Sequence, residues 1–297
     1  MSFGVLTLAT PNDYLKAIGL ALSLRISNPG VPVAVACSPK VRPLVEPHFD
    51  HVVDEDPSLR GFVHKVHLDR YTPFDETMFF DSDVLVFRPV KPFIEQWGRS
   101  PYTACGIYKT EGVSAFGLNR QEVLKKIGKD ALVRIDGAGH ALFRKPECGE
   151  VFENARLVTK NYRDYAGDIR YADEDVMDIV MTMMGLEPAP YGEFFSRYLS
   201  AKPGTMKMDA TKGLCEFVAV TTGKKFSPCM MHFAANEAPF AYARQLRRLF
   251  RHFDVPTEGL LKLALSDFYD REIKTPLYSR MKRWQLRFAS RRPSFQD

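Results

Sequence analysis

The chain has 297 residues, of which 45% are hydrophobic and 26% are charged. These values are typical of globular proteins, and they exclude disordered, collagen-like and low-complexity chains. No apolar run approaches the ~20 residues that cross a bilayer, and the N-terminus does not resemble a signal peptide. The five cysteines form no CxxC pair and no zinc-type spacing, which favours reduced thiols. We therefore expect a cytoplasmic protein.

The first 90 residues alternate short apolar runs with periodic segments. They predict strands at 3–8 and 31–36 with a helix at 14–25 between them, then a helix at 63–71 and a strand at 77–80. The order strand, helix, strand favours a parallel sheet with helices on its faces. The predicted fold class is therefore α/β.

The rest of the chain predicts further elements and a change in composition. The strands are predicted at 102–107 and 141–143, and the helices at 120–127, 175–184, 245–253 and 258–269. Residues 243–297 carry 13 Lys and Arg against 6 Asp and Glu, a net charge of +7, which leaves −2 for residues 1–242. We therefore predict a main domain over residues 1–242 and a basic, aromatic-rich helical extension over residues 243–297.

Two carboxylates interrupt an apolar segment that reads Met-Phe-Phe-Asp-Ser-Asp-Val-Leu-Val over residues 78–86. Burying an unpaired carboxylate is costly, so Asp81 and Asp83 must meet water, hydrogen-bond donors or a cation. At the carboxyl end of a strand, alternate side chains point to the same face. Both carboxylates could there bind one divalent ion and leave its other positions for phosphate oxygens. The alternative is a solvated turn between two strands.

Four further blocks follow one another within residues 3–242. They are the segment 7–14 (TLATPNDY), Lys65 sixteen residues before Asp81, the segment 136–143 (DGAGHALF) and the segment 231–240 (MHFAANEAPF). An acidic pair at 173–174 lies between the last two blocks. In this order the blocks resemble those of the glycogenin-like retaining glycosyltransferases, glycosyltransferase family eight. The resemblance implies the GT-A fold, a Rossmann-type mixed sheet flanked by helices.

The resemblance also implies a metal centre and a donor site. Asp81, Asp83 and His232 would hold Mn²⁺ or Mg²⁺, and the ion would act as a Lewis acid on the departing nucleoside diphosphate. Asp173 and Glu174 would be the catalytic residues near the anomeric carbon. The residues implied to bind the nucleotide-sugar are Leu8, Thr10, Asn12, Tyr14, Lys65, Ser82, Asp136, Gly137, Ala138 and Gly139.

Several of these residues have a second interpretation. His232 could be a core or a surface histidine, Tyr14 could be a core residue of its helix, and Lys65 could be a solvated helix lysine. Asp173 and Glu174 could form an acidic helix N-terminus, which stabilises the first turn of a helix and is compatible with a functional role.

The sequence departs from the family pattern at several positions. Ala238 stands where a lysine that binds the diphosphate is expected, and Arg244 is an alternative cation. Ala235 replaces a glycine, Gly137 an asparagine and Glu174 a glutamine. These departures leave the donor sugar open, and they leave room for a protein that keeps the fold but not the catalysis.

We expect a metal-dependent glycosyltransferase that moves a sugar from a nucleoside-diphosphate donor, with uridine favoured, to a glycan or lipid-linked acceptor. Retention of the anomeric configuration is expected from the resemblance alone. One alternative is a catalytically silent binding or scaffold protein on the same fold. Another is a nucleotidyltransferase that makes sugar nucleotides, but such enzymes open with a Gly-rich, basic loop, whereas residues 9–13 read Ala-Thr-Pro-Asn-Asp.

The basic extension mixes Arg and Lys with Trp, Phe and Leu, chiefly within residues 245–253 and 279–292. Such a mixture suits a helix on an anionic membrane surface, and it predicts peripheral attachment at the inner membrane face. The alternative is a helix packed on the main domain with a solvated basic face. Nucleic-acid binding is not expected, because no nucleic-acid-binding module accompanies the charge.

Overall fold

The computed structural model describes residues 1–136 and 139–276. The strands in this part of the chain are β1 (Phe3–Ala9), β2 (Val33–Cys37), β3 (His51–Asp54), β4 (Glu76–Phe80), β5 (Val84–Val86), β6 (Tyr102–Thr103), β7 (Gly106–Lys109), β8 (Leu132–Ile135), β9 (His140–Arg144), β10 (Phe195–Arg197), β11 (Lys207–Asp209), β12 (Leu214–Val218), β13 (Lys225–Phe226) and β14 (Met230–His232).

The α-helices in the same residues are α1 (Tyr14–Ser27), α2 (Arg42–Val45), α3 (Leu68–Tyr71), α4 (Lys91–Ile94), α5 (Arg120–Ile127), α6 (Cys148–Lys160), α7 (Tyr162–Ala166), α8 (Asp173–Met184), α9 (Pro239–His252) and α10 (Leu260–Tyr269). Short 3₁₀ helices include Gly61–His67 and Ala234–Asn236, and a π-helical turn, Asp270–Lys274, follows α10. Across residues 1–136 and 139–276, none of the helices has the length and apolar character needed to cross a membrane.

The central sheet has six strands in the order β3-β2-β1-β4-β9-β6. The first four are parallel, with Val5 of β1 opposite Val33 of β2 and Met78 of β4. The strands β9 and β6 add antiparallel pairs at one side. Because β1 and β4 run in the same direction, their carboxyl ends meet at one edge of the sheet. This mixed sheet confirms the predicted α/β class.

Alternate residues of the central sheet enter two hydrophobic cores, one on each face. In β4, Met78 and Phe80 belong to the core that includes α1 and α9, whereas Phe79 belongs to the core that includes α6 and α8. All three side chains are buried. Parallel strands covered on both faces read as continuous apolar runs, which explains why residues 77–80 show no alternation in the sequence.

A smaller sheet, β10-β14-β5, brings distant parts of the chain to the carboxyl end of β4. The strand β14 pairs antiparallel with β5, and the register places His232 opposite Val84. The amide N of Phe233 then donates a hydrogen bond to the Asp83 carbonyl at 3.0 Å. The pairing therefore fixes His232 beside the segment that follows β4.

The helix α8 covers one edge of the two-stranded sheet formed by β7 and β8. The strand β8 pairs with β7 on one side. On its other side, the Ile135 amide donates to Asp178 Oδ1 and the Val133 amide donates to Thr182 Oγ1, both at 2.8 Å. All four groups are buried, so the helix supplies the acceptors that a further strand would otherwise supply.

The helix α9 crosses the predicted domain boundary at residues 242–243. Its side chains Leu246, Leu249 and Phe250 are fully buried in the core that contains α1. Leu246 lies directly over Gly19 of α1, where a Cβ would meet the Leu246 Cδ2 at 2.1 Å. The apolar residues of the stretch 245–253 are therefore packed on the main domain, as the alternative interpretation of that stretch expects. The stretch 279–292 lies outside the described residues, and the division into two domains stays a prediction.

Several predicted elements have other limits in the structure. The predicted helix 63–71 is a 3₁₀ helix, Gly61–His67, followed by one turn of α-helix; the β-branched valines within it disfavour a continuous α-helix. The predicted strand 102–107 divides into β6 and β7, which belong to different sheets. The predicted helix 245–253 begins earlier, at Pro239, since proline suits a first helical turn. The predicted helix at 120–127 is confirmed.

Candidate active site

Three side chains converge at the carboxyl edge of the central sheet. His232 Nε2 lies 3.1 Å from Asp83 Oδ1 and 3.8 Å from Asp81 Oδ2. One ligand atom from each residue lies within 4.8 Å of the other two. His232 is buried, whereas the two aspartates are partly exposed. Two carboxylates and an imidazole suit a divalent ion such as Mn²⁺ or Mg²⁺, so the three residues fit the predicted metal centre.

The charges in this cluster are strongly perturbed. Burial raises the pKa of Asp81 to about 6, although Lys65 opposes the shift. For Asp83, burial opposes ionisation, but the attraction of His232 prevails and lowers the pKa to about 2. Burial would lower the pKa of His232, and the bond to Asp83 raises it overall. The protonated His232 side chain balances the negative charge of Asp81 and Asp83. A divalent cation bound between the three side chains would balance the same charge.

Gly139 provides the space in which the His232 ring lies. A Cβ at residue 139 would come within 2.5 Å of His232 Cε1 and 2.7 Å of its Nδ1. The Gly139 carbonyl also accepts a hydrogen bond from the Asp81 amide at 2.9 Å. A residue without a side chain is therefore needed for the imidazole to reach both aspartates. This close approach of ring and backbone supports the fit of the metal centre.

Lys65 joins the metal cluster to a carboxylate on α8. Its Nζ lies 2.8 Å from Asp81 Oδ1 and 3.1 Å from Asp173 Oδ2. The lysine and Asp173 side chains are largely buried. The two carboxylates raise the pKa of Lys65 against the effect of burial, so the ammonium stays charged. Lys65 is therefore a buried lysine paired with two carboxylates and not a solvated helix lysine.

Glu174 lies next to Asp173 in the first turn of α8 and is 8% exposed. Burial raises the pKa of Glu174 to about 7, and the charge of Asp136 adds to the shift while Arg134 opposes it. Arg134 Nη2 lies 3.4 Å from Asp136 Oδ1. A buried carboxyl group with a pKa near 7 can either accept or donate a proton near neutral pH.

The loop between β1 and α1 lies at the same edge of the sheet. The Thr10 amide donates to Asp13 Oδ1 at 2.6 Å, and the Asn12 amide donates to Thr10 Oγ1 at 3.3 Å. Thr10 and Asn12 are exposed, while Leu8 and Tyr14 are partly exposed and contact the two cores. The four residues predicted to bind the base are therefore open to solvent beside the cluster, and their role stays a prediction.

The remaining predicted donor-site residues fall into two groups. The Ser82 carbonyl accepts a hydrogen bond from the Tyr242 hydroxyl at 3.3 Å, which holds the Asp-Ser-Asp turn against α9. Asp136 follows β8, close to Glu174. Gly137 and Ala138 lie outside the described residues.

Three residues near the site were not identified from the sequence: Asp13, Lys16 and Tyr242. Asp13 lies in the segment 7–14, but the resemblance implies no role for it. Nothing in the sequence distinguishes Tyr242 from other helix residues. Lys16 could have been identified from the sequence, because it is the only charged residue in the first half of α1, whose other residues there are apolar or small. Such a lysine must find a partner when the helix is buried.

Arg244, the alternative cation for the missing lysine, lies on the side of α9 opposite to the contact with Ser82. Arg244 is exposed on α9, two residues after Tyr242, which contacts Ser82. Successive residues turn by about 100° around a helix, so these two side chains lie on opposite sides. Arg244 therefore points away from the cluster.

Comparison with solved structures finds glycosyltransferases. The chain superposes on the bifunctional glycosyltransferase WbbM with a TM-score of 0.56 at 14% identity, covering 88% of this chain and 51% of WbbM. It superposes on an active-site mutant of LgtC with a TM-score of 0.56 at 16% identity, covering 86% of this chain and 98% of LgtC.

A third structure is the galactosyltransferase LgtC in complex with donor and acceptor sugar analogs, with a TM-score of 0.52 at 17% identity over 89% of this chain and 95% of that one. The chain spans about half the length of WbbM. No protein-family model matches the sequence, and no curated protein matches it. The likeness confirms that the chain has the GT-A-like fold predicted from its sequence.

Proposed function

We propose that this chain is a metal-dependent glycosyltransferase, which moves a sugar from a nucleoside-diphosphate donor to a glycan or lipid-linked acceptor with retention. The observation that carries the proposal is the convergence of Asp81, Asp83 and His232 at the ligand-binding edge of a glycosyltransferase fold. Uridine is the favoured nucleoside. The likeness to LgtC, whose structure contains donor and acceptor sugar analogs, supports a sugar donor and a sugar acceptor.

Asp81, Asp83 and His232 would hold Mn²⁺ or Mg²⁺. When bound, such an ion supplies Lewis-acid stabilisation of a departing diphosphate. The chain itself contributes the ligand geometry, since Gly139 admits the His232 ring and the β5–β14 pairing sets its position.

Asp173 and Glu174 would act on the donor sugar. Lys65 holds the Asp173 carboxylate at 3.1 Å and so fixes its orientation relative to the metal ligands. Negative charge at this place stabilises a sugar that develops oxocarbenium character. Glu174, with a pKa near 7, is suited to a hydroxyl of the sugar.

The test is to measure binding and slow hydrolysis of a panel of nucleoside-diphosphate sugars in the presence of Mn²⁺. We expect metal-dependent binding of at least one donor, and we expect Asp83→Asn to abolish it. Asp168→Asn, which changes an exposed aspartate on the loop after α7, is the matched control and should bind as the unchanged chain does. Absence of binding by any donor would overturn the proposal.

The same assay separates a transferase from a catalytically silent protein on this fold. Ala238, which stands where a lysine was expected, favours the silent alternative. Donor binding with no hydrolysis and no transfer, even with acceptor sugars added, would identify a binding protein.

We also propose peripheral attachment to an anionic membrane at the inner face, through the basic extension. The net charge of +7 over residues 243–297 supports it. So do the exposed apolar side chains Leu261, Leu265 and Tyr269 on α10, which are 63%, 52% and 53% exposed. Leu246, Leu249 and Phe250 of α9 are packed inside, so this helix would present chiefly its arginines to a membrane, together with Phe240, which is 48% exposed.

A further inference from the structure

Lys16 places a buried positive charge between three parts of the chain. It is the third residue of α1 and is 7% exposed. Its Nζ lies 2.9 Å from Asp267 Oδ2 on α10, and it donates to Asn236 Oδ1 at 3.0 Å. Asn236 belongs to the segment that follows His232. The ammonium therefore lies where the first helix, the segment after β14 and the C-terminal helix meet.

This position is next to the metal cluster. The segment that carries Asn236 begins at Phe233, whose amide donates to the Asp83 carbonyl at 3.0 Å. The charge of Lys16 contributes to lowering the pKa of Asp83, so the two groups interact across the site. The segment is also sharply bent, because Ala235, Asn236 and Ala238 have φ values of 51°, 58° and 47°. Residues other than glycine rarely adopt this left-handed conformation, and here it directs Asn236 at Lys16.

A diphosphate bound at the cluster would bring several negative charges, and cations of the chain must share them with the metal. Lys65 already spans Asp81 and Asp173. Arg244 points away from the cluster, and Ala238 has no charge. Lys16 is buried, charged and on the Asp83 side. Asp267 and Asn236 account for two of its three N–H donors, which leaves one for a phosphate oxygen.

We propose that Lys16 binds the diphosphate of the nucleotide-sugar donor, a role that the sequence pattern assigns to residue 238. The inference rests on the proposed function, since it requires a diphosphate at the metal cluster. Asp267 is the counter-ion of Lys16 when no diphosphate is bound, and it competes with the phosphate for the ammonium. A charge-assisted hydrogen bond of this kind contributes roughly ten- to a hundredfold to affinity.

The test compares two neutralising variants with opposite expected effects. The binding of UDP in the presence of Mn²⁺ is measured by calorimetry at low ionic strength. Lys16→Gln should weaken UDP roughly ten- to a hundredfold. Asp267→Asn keeps the shape of the partner but removes its charge, so Lys16 is more available, and UDP should bind equally well or more tightly. If Lys16 serves only to fasten α10 to α1, both variants should have the same effect on UDP, which would overturn the inference.

Two further variants guard against loss of the fold. Lys16→Arg keeps the charge and should bind UDP within about threefold of the unchanged chain. The double variant Lys16→Gln with Asp267→Asn leaves no unpaired buried charge, and it should bind UDP as weakly as Lys16→Gln alone. Thermal melting of each variant confirms folding. Lys262→Gln, an exposed lysine on α10, is the matched control and should leave UDP affinity unchanged.

The failure of this inference is distinguishable from the failure of the proposed function. If the unchanged chain binds UDP with Mn²⁺ and the folded double variant binds it equally well, Lys16 has no contact with the diphosphate, but the proposed function stands. If the unchanged chain binds no UDP and no other nucleoside diphosphate, the proposed function and the inference are both overturned.

Discussion

At the residue scale, the metal cluster depends on a neighbour that has no side chain. Gly139 allows the His232 ring to lie directly against the backbone of the segment before β9. The two aspartates come from one short turn, but the histidine must be brought from β14. The position of the His232 ring therefore depends on the packing of β14 and Gly139 around it, and a histidine at residue 232 alone does not ensure it.

Gly139→Ala should weaken Mn²⁺ binding about tenfold or more, because the new Cβ displaces the His232 ring from Asp83. Titration of Mn²⁺ followed by electron paramagnetic resonance measures this change. Gly149→Ala on α6 is the control, since a Cβ there has no atom within 4 Å. Equal Mn²⁺ affinity of the two variants would show that the ring can move without harm to the site.

Glu174→Gln should stabilise the protein above neutral pH. Burial raises the folded-state pKa of Glu174 to about 7 from its ordinary value of 4.5, so the native state holds an extra proton between these two pH values. The free energy of unfolding therefore falls as the pH rises from about 4.5 to about 7, and it stays lower above that range. The Glu174→Gln variant has no ionisable group at this position, so its free energy of unfolding does not fall over this pH range for this reason.

The expected gain from Glu174→Gln is up to about 3 kcal/mol at pH 8, with little or none at pH 4. Urea unfolding at the two pH values measures it. The control, Glu153→Gln, changes an exposed residue of α6 and should show no such dependence. A gain of the same size at both pH values would contradict the assigned pKa.

At the scale of elements, the sequence predicted the strands and helices whose patterns are local. Continuous apolar runs predicted β1, β2 and β4, and the Asp-Ser-Asp triplet marked the end of β4. The strand β14 and its pairing with β5 could not be predicted from periodicity, because a three-residue strand has too few positions to show a pattern. His232 could therefore be named as a ligand only through the resemblance.

The residues missed in the sequence are those whose role depends on contacts between distant elements. Lys16 forms an ion pair with Asp267 and a hydrogen bond with Asn236, and both residues are more than 200 positions away along the chain. The Tyr242 hydroxyl donates a hydrogen bond to the Ser82 carbonyl, which is also far away along the chain. No local pattern encodes such contacts, although a charged residue in the apolar first half of a helix, such as Lys16 in α1, indicates that one exists.

Leu246→Ala should lower the free energy of unfolding by about 2–5 kcal/mol, because Leu246 is fully buried between α9 and α1. Urea denaturation measures the loss. Leu261→Ala on α10 is the control, and it should cost far less because this leucine is 63% exposed. If Leu246→Ala were equally mild, α9 would belong to a separate extension as the composition suggested.

At the scale of the whole molecule, charge and packing divide the chain differently. The composition places a boundary at residue 242, whereas α9 carries the packed core across it. The net charge of +7 after that boundary therefore begins on a helix that is fixed to the main domain. A basic surface held in this way would orient the active site relative to whatever anionic surface it meets.

The 297-residue chain should sediment with vesicles rich in anionic lipid at about 50 mM salt and be released by about 500 mM salt, because the attraction is electrostatic. Vesicles of neutral lipid are the control and should leave the protein in the supernatant. Failure to sediment with anionic vesicles at low salt would rule out the membrane proposal. Sedimentation that resists salt would instead indicate apolar insertion by residues such as Leu261 and Leu265.

The hydrogen bonds from β8 to Asp178 and Thr182 have a consequence for association between molecules. An open strand edge can template the addition of a strand from another chain, which is a common route to aggregation. Here the edge is closed by helix side chains, so the amides of Val133 and Ile135 cannot recruit a neighbouring strand. The same helix carries Asp173 and Glu174 in its first turn, so its attachment to β8 both closes this strand edge and fixes the position of the two carboxyl groups.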